Sequence, residues 1–299
     1  MRMHALHLVV TSPIKIDIWS DIACPWCYIG KRHLEAGLEA LGADAPDVEI
    51  EYHSYELSPD TPLDFEGSTV EYLADRKGMP VERVEQMLQH VTGVAANAGL
   101  EYHFEKVAHT KTLKAHELLH FAKANGKQLE LKERLLKAYF VEGGRVNRID
   151  ELVGYAEEVG LDGDAAREAL ESGRYADGVQ ADIAQAGAYG INGVPFFVID
   201  GKYGISGAQP AEVFSQAISQ VPGTKQTSPS HTMAEGSPVT MVKGDAAASV
   251  VEGTAAASEK RSLTLRARRP PARSPARRPR LAARPRCRTC RRSRRTARR

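Results

Sequence analysis

Ala23-Cys24-Pro25-Trp26-Cys27-Tyr28 places two cysteines, separated by two residues, between an alternating apolar run and an amphipathic one. Upstream, Ile14, Ile16 and Ile18 alternate with Lys15, Asp17 and Trp19, the period of two that marks a strand. Downstream, Leu34, Leu38 and Leu41 recur at helical spacing until Gly42. Cys24 therefore falls at a helix start, beside the positive end of the macrodipole and its unpaired N–H groups, where a thiolate is favoured. Cys27, one turn on, can close a small ring with it. The pair reads as a dithiol–disulfide site, with Cys24 as the attacking sulfur and Cys27 as the resolving one. Pro25 suits the first helical turn, where the N–H it lacks would have no partner. Trp26 is expected to shape the surface a substrate meets.

Outward from this stretch, Val48, Ile50 and Tyr52 alternate with Glu49, Glu51 and His53 and predict a second strand, completing a βαβ unit. From about Thr69 to Gly190 the pattern is helical. Val84, Leu88, Val91 and Ala95 mark one face, Ala115, Leu118, Leu119 and Ala122 another. Leu131, Leu135 and Ala138 follow, then a helix capped by Asp150, and a last one carrying Val179, Ile183 and Ala186. Strand chemistry returns at 194–199. Asp200-Gly201 signals a hairpin turn, Lys202 to Ser206 the return strand, and Pro210 the first turn of a final helix. The expected architecture is α/β: a sheet domain formed by 14–65 and 191–221, an all-helical insertion at 66–190, and a disordered tail at 222–299.

Composition narrows the class. With 299 residues, 42% of them apolar, the chain can build a substantial core. Four cysteines in two Cys-x-x-Cys pairs, the second at Cys287 and Cys290, do not make a secreted disulfide framework. Neither a signal-peptide core nor an apolar run of membrane-spanning length is found, so a cytoplasmic protein without membrane partners is expected. The net charge of +2 conceals an asymmetry: Arg261 to Arg299 holds 17 arginines and no acidic residue. The preceding 260 residues then carry about −15. The basic tail is either a phosphate-neutralising segment, the only route to nucleic acid here, or an out-of-frame product of GC-rich DNA. Composition favours the second.

For Cys24 and Cys27 the competing readings are half a zinc site or two structural thiols. Zinc needs four ligands, and the other cysteine pair lies in the tail, so no metal is expected. Gly193-Val194-Pro195 opens the returning strand. A cis bond before Pro195 would offer Val194 backbone groups to an extended substrate, whereas a trans proline on an edge strand is equally compatible with the local sequence.

The strand into Cys24-Pro25-Trp26-Cys27, the long helical insert, and Gly193-Val194-Pro195-Phe196-Phe197-Val198 followed by Ser206-Gly207-Ala208-Gln209-Pro210 resemble the FrnE-like branch of the DsbA family, within the thioredoxin superfamily. The likeness covers about residues 14–220. It implies a thioredoxin fold with an inserted helical domain, thiol–disulfide exchange through Cys24 and Cys27, and a cis Val194–Pro195 bond. Pro25, Trp26, Val194 and Pro195 are expected to contact substrate. No organic cofactor is implied, though glutathione is a candidate co-substrate, and the partners would be thiol or disulfide proteins or small thiols. Related 2-hydroxychromene-2-carboxylate isomerases and kappa-class glutathione transferases usually carry serine at the first position. Cys24 here favours redox exchange over that alternative. Thr112-Leu113-Lys114-Ala115-His116 is similar to a family stretch facing the cleft, which makes His116 a candidate substrate contact; its plain alternative is a polar residue on a partly buried helix face. Lys111 stands where asparagine is usual.

Overall fold

A computed structural model of the chain describes residues 12–222 together with Thr240 and Met241. Expectations for the rest of the tail, Cys287 and Cys290 included, lie outside the described residues.

Strand β1 (Ile14–Ser20) runs parallel to β2 (Val48–Ser54), with helix α1 (Pro25–Glu39) between them in sequence. Strands β3 (Phe196–Ile199) and β4 (Tyr203–Ser206) add antiparallel on the other side of β1, giving the order β2-β1-β3-β4-β5. The outermost strand, β5 (Thr240–Met241), pairs parallel with β4, inside the segment where sequence predicts no order. Asp200 (φ 52°) and Gly201 (φ 66°) form the left-handed turn of the β3–β4 hairpin. The Lys202 N–H closes that turn on the Ile199 carbonyl at 3.0 Å, so the return strand starts one residue later than predicted.

Seven helices separate β2 from β3: α2 (Thr69–Lys77), α3 (Val81–Asn97), α4 (Leu113–Ala124), α5 (Gln128–Lys137), α6 (Ile149–Glu158), α7 (Gly163–Ser172) and α8 (Ala176–Ala188). A final helix, α9 (Ala211–Ser219), follows the sheet. Two expected helix starts shift. Arg148 rather than Asp150 caps α6, leaving Asp150 in the first turn, where its charge suits the dipole. Pro210 is the cap of α9 rather than its first helical residue.

Alternation along β1 divides the molecule. Ile14, Ile16 and Ile18 face Leu34 of α1 and Phe214, Ala217 and Ile218 of α9 in one core. Gly37 permits the α1–α9 approach, since a Cβ there would lie 2.6 Å from the Ala211 carbonyl oxygen. A second core fills the helical insertion and includes Ile22, Tyr28 and Ile29. The start of α1 is thus built into the insertion, while its later turns pack on the sheet. The cysteine pair sits at that junction.

Candidate active site

Cys24 is the N-cap residue of α1, in extended conformation, and Pro25 occupies the first helical turn. The Cys27 N–H donates to the Cys24 carbonyl at 3.0 Å, which holds the two cysteines on one turn. Both are free thiols and lie close together. Each is 2% exposed, so exposure does not separate an attacking sulfur from a resolving one. The Cys24 thiol donates to the Val194 carbonyl at 3.4 Å. The Val194–Pro195 bond is cis, as the resemblance implies. Gly30 makes this arrangement fit: a Cβ there would stand 2.9 Å from Pro195 Cγ and 3.2 Å from the Phe197 ring.

The insertion clamps the turn from the other side. Tyr102 donates its hydroxyl to the Pro25 carbonyl at 2.7 Å and stacks on Tyr28 and Phe140. Asp21 is fully enclosed and accepts from Thr112 Oγ1 at 2.8 Å, the Leu57 N–H at 2.8 Å and His116 Nε2 at 3.2 Å. Burial opposes its ionisation, but His116 and these donors outweigh that and hold its carboxyl below the usual range.

Among the residues the sequence nominates for substrate contact, Pro25 and Trp26 are half-buried, as is Val194. Pro195 is buried and packs against α1, so at this loop the groups left for a substrate are those of Val194. His116 is 1% exposed and tied to Asp21, so it stands behind the site rather than on its surface. Lys111 is held by Glu56 at 3.1 Å and the Pro59 carbonyl at 2.5 Å.

The two thiols titrate as a unit. Cys24 is pushed well above the ordinary thiol range, first by its thiol's interaction with Cys27 and then by burial. Burial also opposes ionisation of Cys27, yet the Cys24 thiol and the Lys132 ammonium outweigh it and bring Cys27 below the ordinary value. Of the two, Cys27 is therefore the sulfur on which ionisation is favoured. The Lys132 ammonium, more than the helix dipole at Cys24, favours the anion on Cys27. Asp21, Tyr102 and Lys132 were missed from sequence. Lys132 does leave a signal: it lies four residues after Gln128 and four before Leu136, on the buried side of α5.

A second ionisable cluster lies across β1 and β2. Asp17, Glu51 and His53 bring ligand atoms within 4.8 Å of one another, a spacing a metal could use. Those carboxylates already face ammonium groups: Lys15 lies 2.9 Å from Asp17 and 3.2 Å from Glu51, and Lys123 also pairs with Glu51. The arrangement is an ion network.

Comparison with known proteins agrees with this geometry. The family model described as a DSBA-like thioredoxin domain matches residues 15–219. The chain is 34% identical over 213 residues to the uncharacterized protein YwbO of Bacillus subtilis (strain 168), spanning 69% of this chain and 96% of that one. Its fold superposes on the crystal structure of a probable DsbA oxidoreductase from Streptomyces coelicolor with a TM-score of 0.66 and 38% identity, covering 75% of this chain and 95% of the other. A putative protein disulfide isomerase from Nitrosomonas europaea shares the fold at a TM-score of 0.53 and 17% identity, covering 69% and 95%. A cysteine pair at the first helix of a thioredoxin-like sheet, an inserted helical region and these matches place the chain in the DSBA-like thioredoxin-domain family.

Proposed function

We propose that this protein is a thiol–disulfide oxidoreductase of the FrnE-like branch, working in the cytoplasm through a Cys24–Cys27 disulfide. The observation that carries the reading is the close pair of free thiols at the start of α1, one of them hydrogen-bonded to the Val194 carbonyl. Cys24 passes its proton to Cys27 as its sulfur attacks a substrate disulfide, giving a mixed disulfide and one released thiolate. Cys27 then gives up that proton, attacks Cys24 Sγ, and expels the second substrate sulfur as a thiolate. With Cys27 ionised at the start, the proton it gives up goes to one released thiolate and the other takes its proton from solvent, so two electrons and one proton leave the pair. The same steps in reverse reduce the protein. For attack, the Cys24 thiol must first let go of the Val194 carbonyl. The half-buried Pro25, Trp26 and Val194 form the substrate-facing rim in this reading.

Insulin reduction by the parent chain and by Cys24→Ser and Cys27→Ser variants tests it. Activity in the parent and none in either variant is expected. Activity retained by Cys27→Ser would point instead to a glutathione-dependent isomerase or transferase, and an inactive parent across several redox buffers would contradict the proposal.

A further inference from the structure

Lys132 has no exposed surface, and its Nζ finds no hydrogen-bond acceptor among the described residues. It lies 5.3 Å from the centroid of the Tyr52 ring. A buried ammonium is costly unless an opposite charge faces it. Surface ion pairing cannot be its role, and Asp21 is already satisfied by Thr112, Leu57 and His116.

The placement of α5 indicates what Lys132 faces. Gln128, one turn before it, accepts from the Tyr52 N–H at 2.9 Å and donates to the Tyr52 carbonyl at 2.8 Å, fastening α5 to the edge strand β2. Glu133, the next residue, accepts from Tyr28 at 2.5 Å, pairs with Lys31 at 2.7 Å and with Arg32 at 2.5 Å, fastening α5 to α1. Tyr28 and Lys31 are one and four residues from Cys27. Lys132 is thus held between these two anchors, on the helix fastened to both β2 and the start of α1. The ionisable groups around it are Cys24, Cys27 and Lys31 from the start of α1, Asp21 from the loop after β1, and Tyr52 from β2.

We infer that Lys132, supplied by the helical insertion, is the charge partner of the reduced cysteine pair, so that closing the disulfide leaves this ammonium buried without its anion. Lys132 acts through the cysteines and is a positioning residue. The inference rests on the proposed exchange reaction for its biological meaning but not for its test. Burial lowers the Lys132 amine to about 8, against the opposing pull of Cys27, Asp21 and Cys24. Its charge therefore answers to the state of the cysteines near neutral pH. Because it stabilises the anion of the dithiol form, Lys132 shifts the pair toward reduction.

The test follows the ultraviolet thiolate absorbance and iodoacetamide reactivity of the reduced chain against pH, in the parent, Lys132→Met and Lys132→Arg. In Lys132→Met the ionisation should move up by about one pH unit, with ~10-fold less reactive thiolate at neutral pH, and Lys132→Arg should restore most of it. Superimposable profiles in a folded Lys132→Met chain would overturn the inference. Should that variant not fold, carbon NMR of lysine-labelled protein compares the parent dithiol with the Cys24→Ser/Cys27→Ser double variant. Lys132 should titrate at higher pH in the dithiol, and equal titration in both would be contrary. A parent whose thiols depend on Lys132 yet never close to a disulfide would remove the exchange proposal and leave this inference standing.

Discussion

On the β1–β2 face, His53 gives one ring N–H to Asp17 at 2.8 Å and the other to Asp182 at 3.1 Å, stacked on Trp19. Asp182 also accepts from His120 at 3.0 Å and from the Ser54 N–H at 2.8 Å. At the start of α1, by contrast, Lys132 Nζ and His116 Nδ1 are enclosed with no hydrogen-bond partner among the described residues. Both regions draw ionisable groups from the sheet and the insertion together. In the first, each charge meets its opposite, and the product is an anchor between β2, α4 and α8. In the second, protein groups leave charge and polarity partly uncompensated, around two sulfurs able to change charge. Natural cores satisfy buried polar groups, so the exceptions point to chemistry rather than to stability.

The largest expected effect lies at the second region. Cys24→Ser or Cys27→Ser should reduce dithiol-dependent turnover by ~100-fold or more, with little loss of folding stability, because each exchanges one small buried group for another. Asp21→Asn removes a charge that Thr112, His116 and the Leu57 N–H are arranged to meet and should lower stability by roughly 2–3 kcal/mol in urea unfolding. The same variant should move thiol ionisation down in pH, since the Asp21 carboxylate raises Cys24. That sign is opposite to the one expected for Lys132→Met, and a shift in the same direction for both would break the charge account.

Gly30→Ala forces a methyl group against Pro195 and should cost about 1–3 kcal/mol while displacing the Val194 carbonyl from Cys24. Thiol ionisation at lower pH, because the neutral Cys24 thiol loses its acceptor, is the signature to seek. The smallest effect belongs to the anchor. Burial alone lowers His53, but Asp17 and Asp182 outweigh it and raise it to about 9, from an ordinary value of 6.5. The group is raised in the folded chain, so its contribution is complete below pH 6.5 and is lost as pH rises through about 9. Stability should decline by roughly 1–2 kcal/mol over that window, and His53→Gln should flatten the decline without touching exchange. A change in exchange rate with His53→Gln would blur the separation between the two regions.

Much of this was legible in the chain. The alternation of Ile14, Ile16 and Ile18, the helical spacing from Leu34 and the Asp200-Gly201 turn are local patterns, and the strands and helices they predict are present. Cys24 and Cys27 were legible because two residues of spacing and a helix start are both local facts. Lys132 and Asp21 were not. Each looks like an ordinary charged residue until folding encloses it, and enclosure depends on contacts a hundred residues away, such as Thr112 on Asp21. The depth of His116 was hidden for the same reason: its stretch leaves a cleft-facing ring and a buried polar residue both open, and the ring is 1% exposed. Pro195 is expected from sequence to sit at the substrate site, and its packing on Gly30 is a long-range contact that the local sequence does not show.

The central claim is that Cys24 and Cys27 exchange a bond with an incoming partner despite their burial. Equilibrating the chain in glutathione buffers of graded potential, trapping with acid and mapping the peptides by mass spectrometry tests it directly. A single intramolecular Cys24–Cys27 disulfide, with a mixed disulfide at Cys24 accumulating in Cys27→Ser, is the result predicted. Two thiols that stay free at every potential, or that take up glutathione independently without ever joining, would contradict it.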